Sequence, residues 1–241
     1  MKSLNFKFLL PIVLAVLIGI VVSFAVQGFI SFVSYIESYL RGDNHLLFGL
    51  PKSVLLVSGP IIAGIIVAII FKLANLDRWH GPAESILAAH VPAQRPDTEK
   101  GLLSTLASAI SLAGGASVGQ YGPLVHFGGV IGDYFSKLTR DQTSPHILLA
   151  CGAAAAISSG FGAPLAGLIF AHEVIVRHFS LKAVAPILIS SVVAHTVSVE
   201  FYSNEALLQT TVGGISNLNE ILPLAILGTV SYTHLTLPTK A

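Results

Sequence analysis

The sequence predicts an all-α membrane protein, a polytopic bundle of unequal, broken helices. Three observations carry that expectation. Of 241 residues, 53% are hydrophobic and only 10% are charged, where a soluble domain carries about a quarter charged. So few charges cannot cover a water-exposed surface, and lipid is the solvent that fits. Two apolar runs, Phe8 to about Val33 and Val54 to about Leu73, are long enough to cross roughly 30 Å of hydrocarbon. Beyond Lys100 the apolar segments continue, but glycine, alanine and proline break them into shorter pieces.

The first run follows Met1-Lys2-Ser3, and Ser23-Phe24-Ala25 loosely resembles a cleavage site. The run is longer than the apolar region of a secretory signal, so a retained transmembrane helix is expected. The second run is followed by Lys72, Arg78, Arg95 and Lys100. Basic residues collect on the cytoplasmic side, and Lys2 and Lys7 precede the first run. Both assignments make the first two helices an out-and-back pair in the cell membrane, with the N-terminus in the cytoplasm.

Five shorter apolar segments follow: Leu102 to Val118, Pro123 to Leu138, Ile147 to Ser159, Pro164 to about Val176, and Leu181 to Val199. Several are too short to cross a bilayer upright. Such pairs of broken hydrophobic segments point to a transporter site built from discontinuous helices. The competing reading is a tilted bundle whose small residues allow close packing. Gly115 with Gly119, and Gly128 with Gly132, fit that reading. Ile221 to Val230 begins a further run of ten apolar residues, too short to span. Residues 231–241 (SYTHLTLPTKA) are polar and unrelated to what precedes them. The fold is therefore expected in residues 1–230, with 231–241 a tail outside it.

Net charge is +1, from thirteen basic and twelve acidic residues. No basic run suggests nucleic acid as a partner. The sole cysteine, Cys151, excludes an intrachain disulfide and a cysteine metal cluster. Its neighbours Ala150 and Gly152 mark it as a packed small residue.

The stretch Gly114-Gly115-Ala116-Ser117-Val118-Gly119-Gln120-Tyr121-Gly122-Pro123 carries the chemistry. An apolar helix ends in glycine, a short polar turn follows, and Pro123 is expected at the first position of the next helix, where its missing N–H costs nothing. Gly119 and Gly122 would take positive φ and let a ligand approach the backbone. Free amides and the positive dipole end of the new helix would then point into the turn, which makes an anion site. In lipid, irregular backbone is tolerated only inside protein or beside a wet cavity. The alternative is a plain structural break. A second turn, Arg78-Trp79-His80-Gly81-Pro82-Ala83-Glu84-Ser85, again places Gly-Pro before a short helical pattern. It aims amides of Gly81 and the His80 side chain inward, or is an ordinary cytoplasmic loop with a proline helix start.

The run GASVGQYGPLVHFGGVIGDYFSKL resembles the stretch of the CLC chloride channel and transporter family whose core is G-K/R-E-G-P, followed by an apolar helix with paired glycines. Downstream, LLACGAAAAISSGFGAPLAGLIFAHEV is similar to the next CLC helices, with F-x-A-P-L-A-G-x-x-F as its most specific part. The Gly81-Pro82 turn stands at the distance of the first CLC anion motif, G-S-G-I-P. The resemblance covers roughly residues 10 to 230. It implies a homodimer with one anion pathway per subunit and two inverted repeats per subunit, of which this chain supplies the first. It implies chloride as transported ligand and no cofactor. The second anion motif and the pore-lining tyrosine come later in the family, so this chain by itself is expected not to close a pathway.

By that resemblance the anion-binding group is Gly119, Gln120, Tyr121, Gly122 and Pro123, with His80 and Gly81 at the inner site. The family's gating glutamate aligns with Tyr121. A phenol with a pKa of about 10 stays neutral at pH 7 and donates a hydrogen bond instead of acting as an anionic plug. The family's motif serine aligns near His80. The exchangers' internal proton-transfer glutamate follows another glutamate; here Glu173 matches the preceding one and Val174 follows. Both acidic stations are missing, which implies channel-like anion permeation without proton coupling, with Glu173 as a polar or proton site. Read from the residues alone, Glu173 also fits a hydrogen-bonded position near a cytoplasmic helix end, and His126 and His172 fit packed or water-facing histidines. Two rivals remain: a relative carrying fluoride, nitrate or a larger oxyanion, and an intramembrane serine protease built on Ser117 with His126 and His172. The second lacks a G-x-S-G setting.

Overall fold

The computed structural model describes residues 6–41, 52–76, 78–91, 95–117, 119–140, 142–177 and 181–202, together with the single helical positions 223, 226 and 230. Every described element is a helix. In order they are α1 (Phe6–Arg41), α2 (Lys52–Leu73), α3 (Pro82–His90), α4 (Thr98–Ala113), α5 (Tyr121–Leu138), α6 (Pro145–Phe161), α7 (Pro164–Phe170), a π-helical segment (Ala171–Val176) that continues α7, and α8 (Leu181–Tyr202). The chain divides into two compact units, Met1–Leu207 and Leu208–Ala241. All the helices above lie in the first. The expected apolar run 221–230 is described at Pro223, Ile226 and Val230 only, and the tail 231–241 lies outside the described residues.

The helices are unequal, as the sequence predicts. At about 1.5 Å per residue, the 36 residues of α1 run to ~54 Å, well beyond the hydrocarbon thickness, so α1 must tilt or project. The 9 residues of α3 reach only ~13 Å. Among the described residues, Leu9–Leu40 and Leu181–Tyr202 are long and apolar enough to cross a membrane, while Val57–Leu73, Pro145–Phe161 and Pro164–Val176 are shorter apolar helices. On α1 the outward positions Leu9, Val13, Leu17, Val21 and Phe24 are as apolar as the inward Leu14, Ile18, Val22 and Val26. A helix apolar all round is suited to lipid.

The buried centre is α6. Residues 148–160 of this helix are all buried, and α1, α5, α7 and α8 pack around it. Small residues make that possible. A Cβ at Gly152 would collide with the Gly128 carbonyl, and one at Gly132 with the Leu148 carbonyl. The α5 and α6 backbones therefore touch, as expected for Gly128 and Gly132 in a membrane bundle. Gly115 and Gly119 do not make such a contact. The close approach of α4 to α2 runs through Gly114, whose Cβ would collide with that of Ala63, while a Cβ at Gly119 would meet nothing within 4 Å.

Apolar burial gives no drive between helices already in lipid, so polar contacts hold the seam. Gln27 Nε2 donates to Ser159 O at 2.9 Å and to Ser198 Oγ at 2.7 Å. Ser23 Oγ donates to Ala194 O at 2.9 Å, and Ser158 Oγ to Ser191 O at 2.6 Å. These bonds tie α1, α6 and α8 together. Cys151 is buried in this packing and free, as its small neighbours suggest.

At the other end of α5, Asp133 is buried and takes Arg95 Nε at 3.0 Å and Lys137 Nζ at 2.9 Å. Lys137 also donates to Pro96 O at 2.9 Å. Ionisable groups inside a membrane protein pair in this way. The contacts anchor the segment before α4 to the last turns of α5. Asp97 then caps α4, accepting from the amides of Glu99 and Lys100 at 3.1 and 3.4 Å.

Candidate functional site

The capping of α4 by Asp97 sets off what α5 and α3 lack. Helix α5 begins at Tyr121 with Gln120 as its cap residue, and no side chain bonds its first turn. Pro123 is therefore the third residue of the helix and not the first, a correction of two positions. The first bond of the ladder is Leu124 N–H to Gln120 O at 3.2 Å. Pro123 has no N–H, so the donors left at this end are the amides of Tyr121 and Gly122, which have no carbonyl four residues back in the helix. The proline-first start expected here is found instead at Pro82, Pro145 and Pro164.

The glycines of the turn also differ from expectation. Among the described residues, the glycines at positive φ are Gly115 (97°) and Gly162 (68°), not Gly119 and Gly122. Gly115 makes the sharp turn after α4. A Cβ at Gly122 would sit 3.5 Å from Pro82 Cγ, an ordinary van der Waals contact. That contact brings together the two turns singled out in the sequence, since Pro82 opens α3 and Gly122 is the second residue of α5.

Helix α3 starts after Gly81, again without a side-chain cap. Its own first turn is closed by Glu84 N–H to Gly81 O at 3.0 Å. His80 does not present a free imidazole to the α5 start. Its Nδ1 lies 2.5 Å from Glu84 Oε2, and its backbone is clamped to Ser104, N–H to Oγ at 3.1 Å and Oγ–H to O at 3.0 Å. Arg78 approaches the same carboxylate at 3.9 Å. The expected inner-site histidine is thus the partner of a first-turn glutamate, while the neighbouring Pro82 faces the α5 start.

A cavity of about 520 Å³ lies over this junction. Its walls are Pro82 from α3, Tyr121, Gly122 and Val125 from α5, Ile157 and Phe161 from α6, and Ala163, Ala166 and Phe170 from the start of α7. Three uncapped helix starts, those of α3, α5 and α7, border one space. The Tyr121 ring stacks on Phe161, with centroids 3.8 Å apart and planes at 20°. The walls are almost wholly apolar, and the helix starts that border them carry amides without a helical acceptor. No acidic residue stands in the first turn of α5 to compensate that positive end.

The other predicted residues lie apart from this cavity. Glu173 is exposed in the first turn of the π-helical segment, with no hydrogen bond among the described residues. Among the described residues no backbone amide holds its side chain. His126 is buried and packed, with Nδ1 2.9 Å from Ser85 Oγ. Ser117 is exposed on the turn, so the serine paired with His126 is Ser85 and the dyad considered for hydrolysis is not assembled. Phe161, Glu84, Ser85 and Asp133 were missed as partners of the site and its frame. For Glu84 the signal was present, four residues after His80 on a short helix.

The chain is similar to known proteins in sequence and in fold. The family profile described as voltage gated chloride channel matches residues 59–231. The voltage-gated ClC-type chloride channel ClcB of Citrobacter koseri is 28% identical over 207 residues, covering 83% of this chain and 49% of the relative. ClcB of Escherichia coli K12 is 28% identical over 205 residues, with 82% and 49% covered. The chain spans about half the length of the curated relatives it matches. Among solved structures, a slow cyanobacterial Cl−/H+ antiporter superimposes with a TM-score of 0.73 at 24% identity, over 95% of this chain and 54% of that one. A CLC-type fluoride/proton antiporter gives 0.72 at 19%, over 95% and 56%. Both likenesses show the fold.

Proposed function

The chain belongs to the voltage-gated chloride channel family, and from that membership we propose that its protein moves chloride across the cell membrane through the junction of α3 and α5, as a transport rather than a catalytic activity. The observation that carries this reading is the meeting of the uncapped starts of α3 and α5, through Pro82 and Gly122, at one cavity. The amides of Tyr121 and Gly122 take the place of part of the ion's hydration shell. Low dielectric strengthens each amide–anion contact, and no carboxylate stands in the α5 start to compete with the ion. Gly119 and Gln120 lead the chain into that start, and Gly81 plays the same part for α3. His80 contributes through its contact with Glu84 Oε2 and not as a direct ligand.

Passage is channel-like and independent of protons. Tyr121 and not a carboxylate begins α5, and Val174 follows Glu173 where a second acid would be needed. Glu173 is an exposed polar residue apart from the cavity and no obligatory proton station. The protein acts as a homodimer with its N-terminus in the cytoplasm, and chloride and lipid are its partners. The two solved neighbours, a Cl−/H+ antiporter and a fluoride/proton antiporter, support the rival in which transport is proton-coupled or fluoride is carried. Liposomes holding the protein, loaded with chloride and given an outward gradient, test both. Efflux with valinomycin present and no alkalinisation or acidification of the medium is expected. Proton movement driven by the chloride gradient, and abolished by Glu173→Gln, would refute the uncoupled reading. Inclusion of fluoride or nitrate as competitors identifies the carried ion.

A further inference from the structure

Tyr121 has no hydrogen-bond partner for its hydroxyl among the described residues, and its ring is held by one aromatic neighbour, Phe161. The two rings come from opposite ends of touching helices. Tyr121 is the first residue of α5, and Phe161 is the last of α6. Gly162, in the left-handed conformation at φ 68°, turns the chain away at that point. Phe161 is thereby fixed at the rim of the cavity rather than buried along the helix. Both rings line the same cavity, and the walls behind them, Val125, Ile157 and Phe170, are apolar. A pair of stacked rings between apolar walls holds water poorly, and apolar constrictions in ion pathways close by dewetting.

From this geometry we infer that Phe161 is the positioning residue of the gate: it holds the Tyr121 ring across the amides at the α5 start, and the path opens when the two rings unstack. The inference rests on placing the gate at Tyr121, the position that aligns with the family's gating glutamate. A carboxylate gate answers to protonation or to competition by the anion. A stacked phenol answers to neither, so the closed state is set by ring contact. Aromatic pairs stabilise by an amount that corresponds to roughly 2- to 12-fold in a two-state equilibrium. Loss of the stack is expected to raise the open fraction by that factor where the closed state dominates.

The test is chloride efflux from liposomes containing the protein as its native gene encodes it, for Phe161→Leu, Tyr121→Ala, both together, and the ring swap Tyr121→Phe with Phe161→Tyr. Phe161→Leu should raise efflux roughly 2- to 12-fold. The double variant Phe161→Leu with Tyr121→Ala should not exceed the larger single effect, because the two rings act as one shutter. The swap keeps the stack and should match wild type. Unchanged or lower efflux in Phe161→Leu, while Tyr121→Ala raises it, would overturn the inference and leave the gate with Tyr121 alone. If Tyr121→Ala itself leaves efflux unchanged, the underlying gate reading fails first. Gel filtration and helical circular dichroism identify variants that do not fold. For these the swap decides, since increased efflux with the stack retained also overturns the inference.

Discussion

Substitution of Gly152 by alanine tests whether the contact between α5 and α6 sets the position of the site. The added Cβ would collide with the Gly128 carbonyl oxygen and come within 2.7 Å of its carbon. Carbon atoms settle at roughly 3.5–4.0 Å, so the two backbones must part by about 1 Å. Helix α6 is buried along residues 148–160 and has nowhere to retreat. Overpacking of this kind costs about 1–3 kcal/mol. The displacement also moves Tyr121 relative to Phe161, whose rings lie 3.8 Å apart, and should weaken chloride binding. Gly160→Ala is the control in the same helix: its Cβ would meet only Leu124 Cδ1 at 3.8 Å and Val26 Cγ1 at 3.9 Å. That variant should be as stable as wild type or up to about 1 kcal/mol more stable, from helix propensity. Unfolding of both variants by SDS in mixed micelles, followed by circular dichroism, reads the difference. Equal stabilities for Gly152→Ala and Gly160→Ala would refute the reasoning.

Other substitutions probe separate parts of the account. Asp133→Asn leaves the Arg95 and Lys137 cations, each about 3 Å from the lost charge, without their shared anion; removal of one partner from a buried pair costs about 3–5 kcal/mol, and the same micelle unfolding should register a loss at the low end of that range because both cations are partly exposed. Gln27→Leu removes bonds to Ser159 and Ser198 and should cost about 0.6–1.7 kcal/mol in that assay. Gly119→Ala meets open space and should leave chloride affinity, measured by calorimetry, unchanged. Gly122→Leu presses on Pro82 from an ordinary contact distance of 3.5 Å and should weaken affinity at least tenfold, the equivalent of about 1.4 kcal/mol.

Much of this architecture was legible because lipid imposes simple rules. Apolar runs between glycines and prolines marked α2, α5, α6, α7 with its π-helical continuation, and α8 to within a few residues. Helix α4 was displaced, expected over 102–118 and found over Thr98–Ala113. Its start is set by the Asp97 cap, which lies in a polar stretch where hydropathy gives no signal. The end of α4 is set by the turn at Gly114 and Gly115. Which glycine would take positive φ was not legible, because Gly114, Gly115, Gly119 and Gly122 fall within one short stretch, and where α4 ends and α5 begins distinguishes them.

The site was legible as a pair of turns, but its partners were not. Pro82 meeting Gly122, and Tyr121 meeting Phe161, join residues about 40 apart in sequence, and no local pattern encodes them. Pro123 was misplaced because proline suits any position of the first helical turn, and the choice depends on where Gln120 leaves the preceding loop. His80 looked like a ligand because a lone imidazole beside Gly-Pro lacks an evident partner. The partner was Glu84, one turn along α3.

Location of a halide in the protein tests the central claim most directly. Crystals grown in bromide, measured at the bromine absorption edge, should show an anomalous peak within hydrogen-bonding distance of the Tyr121 and Gly122 amides, beside Pro82. Bromide bound elsewhere in the protein, with that position empty at saturating concentration, would contradict the account.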